Sequence, residues 1–590
     1  MQLLLDILLT LGAGILVMLV PGASILALTR IDRIVPAPLV PAAAIALGLV
    51  PLTALTAATL ALQQPIEWVL AGLALMTVLC WLSLASRVRA RAREERRSRR
   101  DATQPTRMQS LAEPISDGIF GEWCRGIPAL ALAAATVAAV IALLSGFHAW
   151  NDSLYHIGQA QKLLALDAPS FDNTLQFRDG SAHPGYFIPV WQEVIALVAW
   201  IAHVDPVTAA WIIPSITTWI AVLASGGLAW TLTRARGAAN VGAIAWVVIA
   251  IGTLPFTDAI TNGMHPGAVA IHVLMPLVIA MVFVGSWVEP WQIRDDAGPR
   301  VTTRAATILA GVATAGIGVL HVSYLWVLGM GVLGYAIVWL LRGPWPRAVV
   351  VRHLSVGGTI LVVAATCLAL LLPGLGRLEQ FGRDAKSELA ANELGLYAGE
   401  NGANLDKVVR GGAADDHYHL RADYLVLAGG LALLGLLAIP LALFAPRWPG
   451  GWYLLGSATL VLLIALVDRV FPLFVNTVSL DQARRIERVL PLAMGLTMFA
   501  LFVGAIAARA KRAVAVAVSV AGIALIWLLA ETVPPLAGYG GEQIVEPRVL
   551  TVLLGILLIG GLCWLVTFAA RAGKRPIPLR IRIAQEWSWP

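Results

Sequence analysis

Charged residues are scarce in this chain of 590 residues, because Asp, Glu, Lys and Arg together make up only 13% of it. A soluble domain carries about 25% of them. The mean hydropathy is +0.78, and apolar runs of about 20 residues, each long enough to cross a bilayer, recur from end to end. These features exclude a soluble enzyme. The sequence predicts an all-α polytopic membrane protein.

Cysteine is also scarce, with only Cys80, Cys124, Cys367 and Cys563 in the whole chain. They fall in predicted spans or on the predicted inner side, and none stands at metal-ligand spacing, which argues against disulfides and a zinc-thiolate site. No basic n-region and no A-x-A-like cleavage site precede the second predicted span. We therefore expect no cleaved signal peptide.

Fifteen apolar spans are predicted, and most are joined by short polar connections. They are residues 2–29, 36–62, 67–86, 126–147, 207–232, 240–257, 267–288, 304–320, 322–341, 354–373, 424–444, 452–468, 489–508, 513–530 and 549–569.

The sidedness of these spans follows from the basic residues. The segment Arg87 to Arg107 holds nine arginines, so the positive-inside rule places it in the cytoplasm. If the apolar stretch Tyr186 to His203 does not cross the membrane, the later inner loops hold 17 Lys and Arg residues and the later outer loops hold 11. If it does cross the membrane, the two numbers are exchanged. We therefore predict a helix lying along the outer membrane face, with Trp191 and Trp200 at the interface.

The net charge of +7 is then a difference between two opposed faces. The inner side holds 29 Lys and Arg against 11 Asp and Glu, and the outer side holds 13 against 24. The N-terminus is predicted outside and the C-terminus in the cytoplasm. Basic residues near an anionic inner leaflet fix orientation and hold lipid, so no nucleic-acid partner is needed to explain them.

The predicted spans divide the chain into five parts. They are a three-span preamble over 1–86, a polybasic cytoplasmic linker over 87–125, a transmembrane core over 126–510 with outer loops 148–206 and 374–423, C-terminal spans over 511–570, and a basic cytoplasmic tail over 571–590. Within the linker, Arg87 to Arg107 is expected to be disordered.

The first outer loop carries the strongest chemical pattern. Asp152 and His156 are four residues apart in the segment WNDSLYH, so they share one face of a helix. A carboxylate at the membrane surface could act as a general base toward an acceptor hydroxyl. Asn151 and Asp152 are also good N-cap residues. The residues alone leave catalysis and capping equally open.

Histidines cluster at the predicted outer side, where eight of the ten lie at or just beyond the ends of spans. Outer loops are a natural place for polar residues, which accounts for about half of these histidines. It does not account for His321, which stands between two spans with almost no loop, nor for His272, two turns into a span. Polar groups at membrane depth usually face a cavity, so we predict a polar site that opens outward. His265 is one of the eight histidines at the outer ends of spans.

Arginines form a second outer cluster, Arg484, Arg485 and Arg488, in the segment LDQARRIERVLP. Arg484 and Arg488 would share a face of an α-helix, and the planar guanidinium group suits phosphate. Snorkelling to headgroups or pairing with Asp481 and Glu487 is the alternative. Phosphate binding is favoured, because positive charge on the outer side runs against the orientation rule.

A divalent cation is a weaker prediction. Its candidate ligands lie at the end of the long loop 374–423 and are Asp415, Asp416, His417 and His419. Such side chains can ligate a cation, but a solvated polar loop explains the same residues.

These features together resemble the GT-C superfamily of membrane glycosyltransferases. The resemblance rests on a span followed by an outer acidic residue, Asp152 in WNDSLYH, then a flat outer helix in HPGYFIPVWQEVIALVAW, then the return span from residue 207. The large actinobacterial members also carry an Arg-containing segment before a late span, similar to LDQARRIERVLP. The resemblance covers residues 126–510 and implies a GT-C-like fold in a bacterial plasma membrane with its active site outside.

The resemblance implies an inverting transfer from a polyprenyl-phosphate sugar to a cell-envelope glycan, lipid or protein. Asp152 would be the base, and the departing phosphate would be held by the outer arginines. The substrate-binding residues implied are Asn151, Tyr155, His156, His265, His321, Arg484, Arg485 and Arg488. The resemblance makes no cofactor certain, and a divalent cation is the one candidate. A carrier or flippase for a lipid-linked sugar, and an inactive envelope-assembly protein, are the competing functions.

Overall fold

The computed structural model describes residues 2–101, 126–144, 151–174, 188–233, 236–252, 265–287, 299–322, 324–343, 345–369, 409–412, 417–421, 435–436, 439, 442, 449–478 and 483–509. Most of these residues are helical. The longer elements are α1 Gln2–Met18, α2 Val20–Thr29, α3 Val40–Leu62, α4 Glu67–Asp101, α5 Ala129–Leu144, α6 Asn151–Ala165, α7 Phe171–Thr174, α8 Val190–Ala202, α9 Pro206–Thr233, α10 Ala238–Gly252, α11 Pro266–Ser286, α12 Pro299–Leu320, α13 Tyr324–Leu341, α14 Arg347–Leu368, β1 Val409–Gly412, β2 His417–Leu420, α15 Pro449–Leu466, α16 Val470–Val478, the 3-10 helix Arg484–Val489 and α17 Leu492–Arg509.

Eight helices in the described ranges are long and apolar enough to cross a membrane, the first being Gln2–Thr29 and the last Arg347–Leu368. A ninth candidate is the pair Gly450–Leu466 and Val470–Thr477, which is bent by 96°. Each of the eight overlaps a predicted span. The chain is therefore a helical membrane protein, as its composition predicts.

The total of fifteen spans stays a prediction. Three predicted spans coincide with shorter apolar helices, at Ala129–Leu144, Ala238–Ala250 and Leu492–Leu501. The predicted spans 513–530 and 549–569 lie outside the described residues, as does most of 424–444.

The stretch predicted as a juxtamembrane helix contains α8, which has 13 residues, while its position along the outer membrane face stays a prediction. Its length of about 20 Å is shorter than the roughly 30 Å hydrocarbon core of a bilayer. Trp200 is 42% exposed, whereas Trp191 is buried, so the prediction that both rings lie at the interface is wrong for Trp191. The reason is that α8 packs against α1, α6 and α9 and is enclosed by protein along most of its length.

The predicted disorder of the polybasic segment is wrong for Arg87 to Asp101. Helix α4 continues from the third span through Arg87 to Asp101 without a break, although the sequence predicted disorder from Arg87 onward. Arginine and alanine are good helix formers, and a helix already nucleated in the span extends at little further cost. The guanidinium group of Arg87 also donates a hydrogen bond of 2.9 Å to the carbonyl of Leu28 near the end of α2.

The first three spans pack onto the core. Helices α1 and α3 of the preamble contact α8, α9 and α12.

In the long loop, β1 and β2 pair antiparallel with Val409 opposite Leu420, and β2 contacts α15 and α16. This hairpin was not anticipated by the all-α prediction. The proposed domain boundaries stay predictions.

Small residues allow the closest helix crossings. A Cβ atom added at Gly22 of α2 would overlap the carbonyl group of Ala44 in α3, and Gly334 of α13 lies similarly against Gly456 of α15. Such small-residue contacts let membrane helices gain packing energy where no hydrophobic driving force between helices is available.

We expect Gly22→Ala to destabilise the protein by about 1–3 kcal/mol, since overpacking forces the backbones of α2 and α3 apart. Gly12→Ala, in the neighbouring helix α1, is the matched control because nothing lies within 4 Å of its added Cβ. Thermal unfolding in detergent measures both. Equal melting temperatures for the two variants would contradict the close crossing.

Candidate functional site

Three sequence-distant segments meet at the beginning of α11. They are the start of α11 itself, the turn between α12 and α13, and the 3-10 helix Arg484–Val489. The 3-10 helix contacts α13 and α15, and it is anchored by Ile486 and Val489, which are buried. The polar residues brought together here are called the arginine cluster and comprise His265, His272, His321, Tyr324, Arg485 and Arg488.

The 3-10 geometry changes which arginines share a face. The sequence predicted an α-helix, in which Arg484 and Arg488 would align. In a 3-10 helix, residues three apart eclipse each other, so Arg485 and Arg488 lie on one face, and Ile486 and Val489 lie on the buried one. The predicted pairing of Arg484 with Arg488 is therefore wrong, and the side chain of Arg484 lies outside what the structure describes.

Arg488 is held by Tyr324, which is 2% exposed. Its Nη1 atom donates a hydrogen bond to the Tyr324 hydroxyl, and its guanidinium carbon lies 5.5 Å from the centre of the Tyr324 ring. The Tyr324 ring packs directly on Gly267, where a Cβ atom would overlap it. The ring of His321 is 4.8 Å from that of Tyr324, centre to centre. Arg488 and Tyr324 are 164 residues apart in sequence.

His265 stands immediately before α11, and its carbonyl accepts a hydrogen bond from the backbone of Ala268. Burial, reinforced by the charges of Arg488 and Arg485, lowers the pKa of His265 to about 3. The imidazole is therefore neutral at physiological pH. It offers both a donor and an acceptor nitrogen beside two permanent positive charges.

His272 lies one and a half turns further into α11, within a π-helical turn over Ala270–Leu274. Its ring makes an edge contact of 5.5 Å with Trp246 of α10, and it is within Coulombic range of Arg488. Pro276 explains the widened turn, because proline has no N–H to bond the carbonyl four residues earlier. Such π-turns are frequent at functional sites.

The arginine cluster is suited to an anion. Two guanidinium groups supply fixed positive charge, while a neutral imidazole and a tyrosine hydroxyl supply further hydrogen bonds without adding charge. The structure thus brings together the predicted residues His265, His321, Arg485 and Arg488. Tyr324 was missed by the sequence reasoning, although its spacing of three from His321 at a helix start was visible.

A second group of polar residues is buried on α6 and α8, two helices that pack against each other. This polar interface comprises Ser153, His156 and Gln159 of α6 and Gln192 and Glu193 of α8, each less than 9% exposed. Helix α6 thus buries polar side chains while Leu154 is 57% exposed. The same helix also buries Ile157, Ala160 and Leu163, so its polar side chains are buried among apolar ones.

One hydrogen bond joins the two helices of this interface. The amide nitrogen of Gln192 lies 2.8 Å from Nδ1 of His156. The ring of Tyr155 makes an edge contact of 5.5 Å with the His156 ring, and burial raises the pKa of the Tyr155 hydroxyl. Tyr155 and His156 are thus placed together, as predicted.

Asn151 and Asp152 are the first two residues of α6. Both side chains lie outside the described part of the structure, as do the residues that precede Asn151. The choice between the two roles therefore stays open.

Glu193 was missed by the sequence reasoning, because a single acid in an apolar stretch has no pattern. It is 1% exposed, and its Oε1 atom has no hydrogen-bond partner among the described residues. Burial raises the pKa of this carboxyl to about 8. Glu193 is therefore mostly a neutral acid at pH 7.

Glu193→Gln is expected to remove a pH dependence of stability. Between pH 4.5 and 8 the folded protein holds a proton that the unfolded chain has lost, so the free energy of unfolding falls by about 1.4 kcal/mol per pH unit as pH rises. The Glu193→Gln variant has no such fall in the free energy of unfolding, because its side-chain amide does not titrate. Melting temperatures of the two proteins should converge near pH 4.5 and differ most above pH 8. Parallel curves would contradict the assignment.

The candidate cation site gains no geometric support. His419 of β2 lies with its Nδ1 atom 2.6 Å from the carboxylate of Asp468, and His417 is exposed. Asp415 and Asp416 lie outside the described residues. Within the ranges that the structure covers, no group of three or more His, Cys, Asp or Glu side chains could hold a metal ion.

An aromatic cluster at the other end of α11 and α13 was also missed. It comprises Trp287, Tyr335, Trp339, Trp345, His353 and Trp452. The rings of Trp339 and Trp345 stack at 5.7 Å, and Trp287 donates a hydrogen bond of 3.0 Å to Tyr335. These residues come from α13, α14 and α15, from the position that follows α11 and from the connection before α14, so the cluster joins four helices at that end of the bundle.

Comparison with known proteins gives one match. Residues 15–394 match a family model described as a family of unknown function, DUF6541. No curated protein and no solved structure matches the chain significantly. The matched region includes the α6–α8 polar interface, His265, His321 and Tyr324, and it ends before Arg485 and Arg488. Because the match covers more than half of the chain, this protein belongs to the DUF6541 family.

Proposed function

We propose that the protein is an integral-membrane glycosyltransferase of GT-C type that moves a sugar from a polyprenyl-phosphate donor to a cell-envelope glycan, lipid or protein. The observation that carries this proposal is the arginine cluster, in which Arg488 is fixed by Tyr324 beside neutral His265. A lipid-linked phosphate is an anion that reaches its site through the membrane, which matches a cationic site in a membrane bundle.

In this proposal the reaction is an inverting displacement. Asp152 takes the proton of the acceptor hydroxyl while the oxygen of that hydroxyl bonds to the anomeric carbon of the donor sugar. The bond from the anomeric carbon to the phosphate oxygen breaks at the same time. Arg485 and Arg488 offset the charge that develops on the departing polyprenyl phosphate. His156, His265 and His321, with Asn151, Tyr155 and Arg484, orient donor and acceptor.

The sidedness belongs to the same proposal. The charge split of the sequence supports an orientation with the arginine cluster on the outer side, the N-terminus outside and the C-terminus in the cytoplasm. The bacterial plasma-membrane location is implied by the resemblance to GT-C transferases. The acceptor would then be an envelope component and the partner a membrane lipid.

The direct test is transfer of a labelled sugar. Purified protein in lipid nanodiscs is given polyprenyl-phosphate sugars with a radiolabelled sugar, together with an envelope extract as acceptor. Label moving from the lipid to the extract supports the proposal. A parallel assay uses the protein in sealed lipid vesicles, where label that crosses the membrane unchanged supports a carrier. The absence of both transfer and transport supports an assembly role. Mass spectrometry of lipid bound to the purified protein identifies the donor to use.

A carrier for a lipid-linked sugar is the second candidate, and Glu193 is the observation that favours it. Ion-coupled carriers need ionisable groups away from water, and Glu193 is a buried acid in an apolar helix. In that case Glu193→Gln would abolish coupled transport, whereas the transferase proposal expects transfer to persist in this variant.

A further inference from the structure

The hydrogen bond between Gln192 and His156 fixes an imidazole next to the proposed base. His156 is 3% exposed and Gln192 is fully buried, and the two residues are 36 positions apart in sequence. With the amide nitrogen donating, Nδ1 of the ring is the acceptor, so the proton of a neutral imidazole sits on Nε2. One tautomer is selected.

The hydrogen bond between Gln192 and His156 gives the protein little net stability. Helix α8 is otherwise apolar apart from Glu193, and a pair of apolar side chains of similar shape would stabilise the helix contact at least as well as a buried hydrogen bond. Two further buried polar atoms, Oε1 of Gln192 and Oε1 of Glu193, lack hydrogen-bond partners among the described residues. The α6–α8 polar interface therefore sacrifices stability to keep specific polar groups in place.

His156 is placed by its helix as well as by Gln192. It follows Asp152 by four residues in α6, and residues four apart share a face of a helix. Side chains in a helix lean toward its N-terminus, so the His156 ring lies over the turn on which Asp152 stands. A ring that exchanged its proton between Nδ1 and Nε2 would present a donor there in one tautomer and an acceptor in the other.

We propose that Gln192 is a positioning residue that locks His156 in the tautomer with its proton on Nε2, one helical turn from Asp152. This inference rests on the proposed function, in which Asp152 is the base and α6 carries it. Gln192 touches neither substrate; it keeps one hydrogen-bond donor in a fixed orientation on the face that bears the base.

The tautomer is read directly by nitrogen NMR. Protein labelled with ¹⁵N-histidine is reconstituted in bilayers, and His156→Gln identifies the His156 signals. Between pH 7 and pH 8, the wild-type protein is expected to show a protonated Nε2 and an unprotonated Nδ1. Gln192→Leu and Gln192→Met, two apolar replacements of similar volume, should give a mixture of both tautomers. Two variants are used so that, if one of them does not fold, the other still reports the tautomer.

The neighbouring substitution Glu193→Gln is the matched control, since it changes a buried residue of the same helix while keeping the Gln192 contact. It should leave the His156 signals unchanged. Wild-type signals of the Nδ1-protonated form, or signals identical in wild type, Gln192→Leu and Gln192→Met, would overturn the proposal.

Turnover gives the second readout. Gln192→Leu is expected to lower kcat about 10- to 100-fold, the range found when the group orienting a histidine is removed, with KM changed less than twofold. A structural defect would instead lower the amount of folded protein without this split. If wild type transfers no sugar, the proposed function fails while the NMR result still decides the role of Gln192. If transfer occurs but the tautomer is insensitive to Gln192, only the positioning role fails.

Discussion

Asp152→Asn is expected to slow sugar transfer by about 10²–10⁴-fold, the usual contribution of a general base. Asparagine caps a helix as well as aspartate does, so this substitution removes the base and retains the cap. It therefore separates the two roles that the residues and the backbone of α6 leave open. The measurement is the initial rate of label transfer at saturating donor, with folding checked by the melting temperature.

Asp167→Asn is the matched control for this prediction. Asp167 is exposed just after α6 in the same outer loop, so the same chemical change is made without touching the helix start. Its rate should equal that of wild type. Near-full transfer by Asp152→Asn, combined with a loss of about 1 kcal/mol of stability in Asp152→Ala, would assign Asp152 to capping and leave the base unidentified.

Arg488→Gln is expected to lower transfer by about 10²–10³-fold, which is typical for loss of one preorganised group that stabilises developing charge. It should also lower the amount of phosphate-containing lipid that copurifies with the protein. The physical reason is that Arg488 is fixed by Tyr324 before any ligand arrives, so little orientation has to be gained on binding. Arg488→Lys keeps the charge without the planar fork and should recover only part of the rate.

Arg469→Gln provides the comparison for a general loss of positive charge. Arg469 is exposed at the bend between α15 and α16, and it is predicted to lie on the same side of the membrane as Arg488. We expect no change in bound lipid or in rate for this variant. Equal losses in both variants would show that the outer arginines act only through bulk charge and would contradict a dedicated phosphate site.

The membrane-spanning helices could be predicted from the sequence because each is a long apolar run with its own hydropathy signal. The extension of α4 could not be predicted from charge alone, since Arg87 to Asp101 was interpreted from its net charge rather than from the helix propensity of arginine. Trp191 was misplaced for a different reason: whether an apolar ring faces lipid or protein depends on neighbouring helices, which a single helix does not encode.

The candidate site was predicted in part. Arg485, Arg488, His265 and His321 were recognised because polar groups at membrane depth are rare. Their meeting point, Tyr324, and the contact between Gln192 and His156 depend on tertiary packing across long sequence separations, which no local pattern carries. The 3-10 geometry of Arg484–Val489 changed the pairing of arginines, because a difference of 0.6 residues per turn is invisible in so short a segment.

The aromatic cluster gives this molecule an optical marker at one end of its bundle. Trp339 and Trp345 stack at 5.7 Å with their planes 8° apart, so packing holds both rings in one asymmetric arrangement, and both contribute to the near-ultraviolet circular dichroism of the protein. Because the rings belong to α13 and to the connection leading into α14, this contribution is lost when those helix ends separate, even if helicity is retained. Each variant discussed above can thus be checked for intact tertiary packing far from the residue that was changed.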